Sequence, residues 1–435
     1  MEYMETVQVR VEQGILEGER KSEYMIFRGV PYAEAPVGDN RFRAPQRKKP
    51  WIGVRDAKES GPMCPQPDMK KDPFWGKEFY GDDRYPLPEQ NEDCLYLNIW
   101  APLEKGKHPV ALWIHGGAFD HGFSSEMEFD GKKFAANGVV LVTINYRVGV
   151  FGFFADEMLR RENAHRTTGN YGMLDQVAAL QWVWKNIHSF NGDADRITVF
   201  GQSAGAMSAQ ALVSSSLTDG MIHNAILQSG GGIDNGLLQK RTLDDTLATG
   251  QRIKSLLKVK TIGEMRKLPA SKLVEVLEPL YQETTGIAFG PCVDGYFLKE
   301  DPQQAVKNGH IQDIPYMIGL NGNDLTIEKG EDGRKSQFYR GCEQFAKARC
   351  ALSEKPVYMY YFDRKLPGDD AGAFHSSELW YVFGTLDRCW RPMTRHDYSL
   401  SDMMNDAWSS FMKNDDPGRQ WKAWKPDTKF VRTFL

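Results

Sequence analysis

The chain has 435 residues, 41% of them hydrophobic, and a formal net charge of −4. That length can bury a large core, and the near-balanced charge, with only short basic runs such as those at 47–49 and 70–71, argues against nucleic acid as a partner. No basic segment followed by an apolar one opens the sequence, no apolar run is long enough to span a bilayer, and C-x-x-C, H-E-x-x-H and P-loop motifs are absent. No signal peptide, membrane association, metal or organic cofactor is therefore expected, and a cytoplasmic location is the simplest expectation.

In chain order, residues 7–14, 25–27 and 95–100 read as short strands among turns marked by Pro31, Pro36, Gly38 and Pro45. They suit an antiparallel start to a sheet. Residues 66–90 mix charges and aromatics with Pro73, Pro86 and Pro88, and are expected to form a flap. The runs 108–115, 138–145, 196–201, 222–227 and 314–319 are mostly apolar without alternation, as in strands covered on both faces. Between two of them, Met173, Val177, Leu180, Trp184 and Ile187 recur at helical spacing, so residues 173–188 should present one apolar face. A late strand is expected at 358–362 and a terminal helix at 402–412. This is the grammar of an α/β fold, with a mostly parallel central sheet, helices on both faces and an antiparallel N-terminal portion, in one domain spanning 1–435.

The apolar run at 196–200 leads into GQSAG at 201–205, and a helix-compatible stretch follows. G-x-S-x-G in strand–turn–helix context exposes a nucleophilic serine, here Ser203, on a tight turn. Its glycines let strand and helix approach closely, and the amide of Ala204 becomes a candidate oxyanion donor. Upstream, HGGAF at 115–119 follows another strand, and Gly116 and Gly117 can turn their amides toward one point. His115 reads as structural. A base that follows the serine in the chain could be His223, His310, His375 or His396; His375 sits in GAFHSS at 372–377, where small residues suit a loop that carries an imidazole.

The combination of FRGVPYAEAP at 27–36, EDCLYLN at 92–98, HGGAF, NYRVGVFG at 145–152, NYGMLDQ at 170–176, GQSAG, QSG at 228–230 and GAFH at 372–375 resembles the type-B carboxylesterase family. This is the cholinesterase-like branch of the α/β-hydrolases, and the resemblance runs nearly the full length. It implies an α/β-hydrolase fold and cofactor-free ester hydrolysis through an acyl-enzyme, with Ser203 as nucleophile and His375 as base. Gly116, Gly117 and Ala204 would be the oxyanion donors, and Ser229 a nearby hydrogen-bond partner. The family's acid falls at Asp324, where an aspartate stands in for the usual glutamate; Glu328 is the fallback. The resemblance also implies ion pairs Arg41–Glu92 and Arg147–Asp175, and Cys64 beside Cys94, here as free thiols.

Small to medium apolar or aromatic esters are the expected substrates, with Phe119, Trp380, Tyr381 and Phe383 as candidate pocket residues. Amidase or lactonase chemistry on the same residues is the alternative, and a non-catalytic binding protein a remote one. The expected assembly is a monomer or weak homo-oligomer. Asp324 and His375 are only 51 residues apart, about half the spacing the resemblance implies. Residues 328–352 are therefore expected to be a reduced cap of one or two short helices, partly disordered over 328–337, above an open gorge.

Overall fold

The computed structural model describes residues 5–284, 286–328 and 330–435. The N-terminal strands β1 (Thr6–Val11), β2 (Gly14–Arg20), β3 (Tyr24–Pro31) and β5 (Tyr96–Pro102) pair antiparallel, and the three-residue β4 (Val54–Asp56) lies beside β2. The apolar runs then form β6 (His108–Ile114), β7 (Val140–Ile144), β8 (Gly192–Gln202), β9 (Asn224–Gln228), β10 (Tyr316–Asn321) and β11 (Val357–Phe362), followed by β12 (Val431–Phe434). The sheet order is β1-β2-β3-β5-β7-β6-β8-β9-β10-β11-β12. Every pairing from β7 to β12 is parallel.

The unbroken apolar runs are explained by two cores, one on each face. Along β6, Val110, Leu112 and Ile114 enter one core, while Ala111 and Trp113 enter the other, as the two-residue period of a strand requires. The first core is covered by helix Tyr171–Asn186 through Met173, Val177 and Leu180; the second by helix Arg395–Asn414 through Leu400, Met404 and Trp408. Two buried ion pairs brace the loops. Arg147 donates from Nε and Nη2 to Asp175, each at 2.7 Å. Arg41 holds Glu92 and also donates to the carbonyls of Met265, Arg266 and Leu268. Cys64 and Cys94 are buried free thiols in hydrogen-bond contact, and that contact, with burial second, pushes the Cys94 thiol well up.

Residues 328–352 differ from expectation. Apart from the turn Gly333–Lys335 they form one 16-residue helix, Gln337–Leu352, packed on β10 and β11. Phe338, Cys342, Phe345 and Ala346 recur at helical spacing and are fully buried, so sheet packing fixes this helix. Lys329, within the stretch expected to be partly disordered, lies outside the described residues. Among the described residues no helix is long and apolar enough to cross a membrane.

Candidate active site

The parallel strands deliver the motif residues to one end of the sheet, where ligand sites of open α/β sheets form. Ser203 follows β8 and caps helix Ala204–Val213 with φ 57° and ψ −126°, a strained backbone for a residue with a Cβ. Its N–H is held by the carbonyl of Gln228 at the end of β9, at 2.8 Å. The flanking glycines are sterically required. A Cβ on Gly205 would meet the Ile114 carbonyl oxygen at 2.0 Å, and one on Gly201 would meet the backbone of Gly205 at 2.4 Å.

Beside it, β6 runs out into Gly116, Gly117 and Ala118. Gly117 and Ala118 have φ of 91° and 49°. Among the described residues, no hydrogen bond uses the amides of Gly116, Gly117, Ala118 or Ala204. Gly116 is packed so closely that a Cβ there would lie 2.9 Å from the Gln202 oxygen and 3.1 Å from the Ser203 Cβ. Gly116→Ala is expected to displace the serine or the loop and lower kcat about 100-fold, the scale of one lost oxyanion donor. Steady-state kinetics and an unfolding curve on the same preparation separate this from global destabilisation.

His115, next in the chain, is buried and stacked on Tyr146 at 4.3 Å, with its Nδ1 2.9 Å from the Gly116 carbonyl oxygen. Burial pushes its pKa down from 6.5 to about 3. A depressed folded-state value means that the unfolded chain takes up the proton first, so stability is lost as pH falls from 6.5 toward 3. At about 1.4 kcal/mol per pH unit, this group should cost about 2 kcal/mol between pH 7.5 and 5. His115→Gln should flatten the pH dependence by that amount, read from urea unfolding at the two pH values.

Asp324 lies three residues beyond β10. Its Oδ1 bonds the His375 Nδ1 and accepts from the Leu325 N–H at 2.8 Å, while Oδ2 accepts from the Asn321 N–H at 2.9 Å. The carboxylate is fully buried. Glu328 is exposed, its N–H donates to Glu331 Oε2 at 3.4 Å, and among the described residues the ring's carboxylate partner is Asp324. The acid and histidine loops are stitched together. Asn323 N–H donates to the Ala373 carbonyl at 2.9 Å, Ala373 N–H returns to Asn323 Oδ1 at 3.0 Å, and Asn321 Nδ2 reaches the Phe374 carbonyl at 2.8 Å. Gln202 Nε2 lies 3.1 Å from His375 Nε2 and 3.4 Å from Nδ1. A donor in the ring plane cannot be comparably close to both nitrogens, so the amide sits over the ring face and leaves the in-plane Nε2 lone pair open.

Ser203, His375 and the loop residues Gly116, Gly117 and Ala118 line one cavity of about 190 Å³. A profile of the carboxylesterase family matches residues 5–337 and 333–434. The chain is 34% identical to the para-nitrobenzyl esterase of Bacillus subtilis (strain 168), across 97% of this chain and 93% of that protein. It is 32% identical to the fumonisin B1 esterase of Sphingopyxis macrogoltabida, across 95% and 83%. A solved PNB esterase superposes with a TM-score of 0.87 at 30% identity, covering 98% of this chain and 95% of that one.

The chain belongs to the carboxylesterase family. As a carboxylesterase with an α/β-hydrolase fold it departs from the sequence reading in its pocket wall. Trp380 and Phe383 are core residues, 0% and 1% exposed. Their short helix Leu379–Phe383 is buried on every side, so Trp380 stacks on Phe79 and Phe383 packs on Trp113, while Leu379 reaches the cavity. Tyr381 is likewise buried, bonding Asp397. Phe119 lines a separate small pocket beside Met207 and Phe289. The aromatic wall comes instead from the flap expected at 66–90, through Trp75, Phe79 and Tyr80, and from Phe129.

Ser229 is fully buried, but its Oγ has no hydrogen-bond partner among the described residues. The polar network behind His375 runs through Glu378, which sequence reasoning missed. Its carboxylate accepts from Asn321 at 2.6 Å and Gln228 at 3.2 Å, and burial pushes its pKa up to about 7, with the charge of Asp324 adding to the effect. An acid three residues after His375 was the available signal.

Proposed function

We propose that this carboxylesterase hydrolyses small to medium apolar or aromatic esters through a Ser203–His375–Asp324 triad. His375 takes the Ser203 proton as Oγ attacks the ester carbonyl. The oxyanion is met by amides of the Gly116–Gly117 turn, with Ala118 beside them, and by Ala204 at its helix N-terminus. Asp324 fixes the imidazole with Nδ1–H toward the carboxylate, so that Nε2 is the acceptor. His375 then protonates the leaving alcohol and activates the water that releases the acid.

The observation that carries this reading is that a histidine anchored by a buried aspartate shares a cavity with a strained elbow serine and a loop of unused amides. The mixed aromatic wall supports apolar acyl or alcohol groups. The test is a panel of p-nitrophenyl esters of increasing acyl length beside p-nitroanilides and lactones. Turnover is expected to favour esters with short to medium chains; faster turnover of anilides or lactones would replace the ester reading with the amide or lactone one.

A further inference from the structure

A second, smaller pocket adjoins the catalytic cavity. It has about 40 Å³ of room, against the roughly 10–15 Å³ that one water needs. Two lining residues fix its position. Phe119 directly follows Ala118 of the catalytic cavity, and Met207 lies one turn along the helix from Ser203. Phe119, Met207, Leu238, Ile287 and Phe289 make most of its wall apolar. A purely apolar pocket would take a hydrocarbon group, but this one also contains Arg241 and Gln303.

No carboxylate pairs with Arg241 among the described residues. Its Nη2 donates to the Ile287 carbonyl at 2.8 Å, and the other N–H groups of the guanidinium, which has five, are unused. Asp245, whose charge reaches it, caps helix Leu243–Leu257 and accepts from the Thr242 N–H at 2.9 Å and hydroxyl at 2.6 Å. Asp301, in the pocket wall, accepts from the Gln303 and Gln304 N–H groups at the start of helix Pro302–Asn308. Cys292 stays neutral, burial pushing its thiol up to about 12. Burial in turn pushes the guanidinium below its usual range, the direction expected of a cation that has lost water and gained no anion. Gln303 adds a neutral donor. Its Oε1 accepts from the Asp234 N–H at 2.7 Å, which leaves Nε2, at the other end of the amide, without a partner among the described residues.

We infer that this pocket takes a carboxylate, held by the unused N–H groups of Arg241 and by Gln303 Nε2, so that the preferred esters carry a free carboxylate a few bonds from the scissile carbonyl. A planar guanidinium offers a carboxylate two parallel N–H bonds, and the apolar wall around it excludes the water that would weaken them. This assignment rests on the ester-hydrolase reading above and narrows its substrate class.

The experiment compares monobenzyl succinate, glutarate and adipate with their primary amides, neutral esters of nearly the same shape, at pH 7. A further pair, 4-(benzoyloxy)butanoate and its amide, puts the carboxylate on the alcohol side. In at least one pair wild type should favour the acid in kcat/KM by at least about tenfold. Arg241→Gln should cut that ratio toward one, and Arg241→Lys should fall between, since lysine keeps the charge and loses the fork. Lys240→Gln, which removes an exposed charge next in the chain, should leave the ratio intact. The ratio is read within each variant, so a general loss of activity or folding cancels. A second arm measures binding of the same acids and amides to Ser203→Ala protein by calorimetry, and repeats it with Arg241→Gln added. Acid binding that the added substitution removes supports the pocket even if no ester is turned over, an outcome that would count against the ester reading alone. A wild-type ratio near one in every pair, a ratio that Arg241→Gln leaves intact, an equal fall in Lys240→Gln, or equal binding of acids and amides would overturn it.

Discussion

Ser203→Ala is expected to lower kcat for p-nitrophenyl ester hydrolysis by at least about 10⁴-fold, leaving the rate supported by binding and the oxyanion donors alone. The reason is positional. The elbow places one hydroxyl at the cavity, and the neighbouring motif residues Gly201 and Gly205 have no side chains with which to replace it. The substitution should leave the fold unaffected. Alanine keeps the Cβ that already sits at φ 57°, and the bond from the residue-203 N–H to the Gln228 carbonyl involves only backbone. Urea unfolding should therefore superpose on wild type while turnover disappears. Activity within tenfold of wild type, on protein with an unchanged unfolding curve, would show that another group attacks the ester.

Asp324→Asn should cost about 10⁴-fold in kcat with little change in shape. The aspartate accepts from two backbone amides and from the His375 ring. An asparagine has only one acceptor oxygen. If that oxygen takes the Oδ2 place and serves the Asn321 N–H, the amide NH₂ takes the Oδ1 place, leaves the Leu325 N–H without its acceptor, faces His375 and selects the tautomer with the proton on Nε2. That tautomer cannot take the proton of Ser203. Glu328→Gln, at an exposed position, is the control and should stay within about twofold of wild type. A large loss in the control with a small one in Asp324→Asn would move the acid to Glu328.

The sheet was legible because its strands are short apolar runs flanked by turn residues, and β6 to β11 fall within two residues of the expected ends except at the start of β8. β12, whose strand residues 431–434 come after a long loop, was missed because a four-residue edge strand gives little periodic signal. The elbow and the loop after β6 were legible because their chemistry is local: a few residues with fixed spacing. Glu378, Gln202 and the pocket around Arg241 were not, because each acquires meaning from partners far along the chain. The pocket residues erred for the same reason. Aromatics near a motif in sequence, such as Trp380 and Phe383, were turned into the core by a buried helix, while Trp75 and Phe79 arrived from more than a hundred residues before the serine. The helix Gln337–Leu352 was underestimated because its apolar stripe is interrupted by the charges of its exposed face.

The stitching of the acid loop to the histidine loop gives the molecule a place to change without retuning its chemistry. Asn321, Asn323, Ala373 and Phe374 close the neck of the chain between Asp324 and His375, so these two side chains are registered to each other by those bonds and not by the path that joins them. Lengthening a loop already closed at its base is cheap, about 0.6 kcal/mol for each doubling. The exposed Glu331 and Asp332 thus mark a natural insertion port, where evolution or a designer could graft a lid, a binding module or a regulatory domain while leaving the Asp324–His375 pair unaltered.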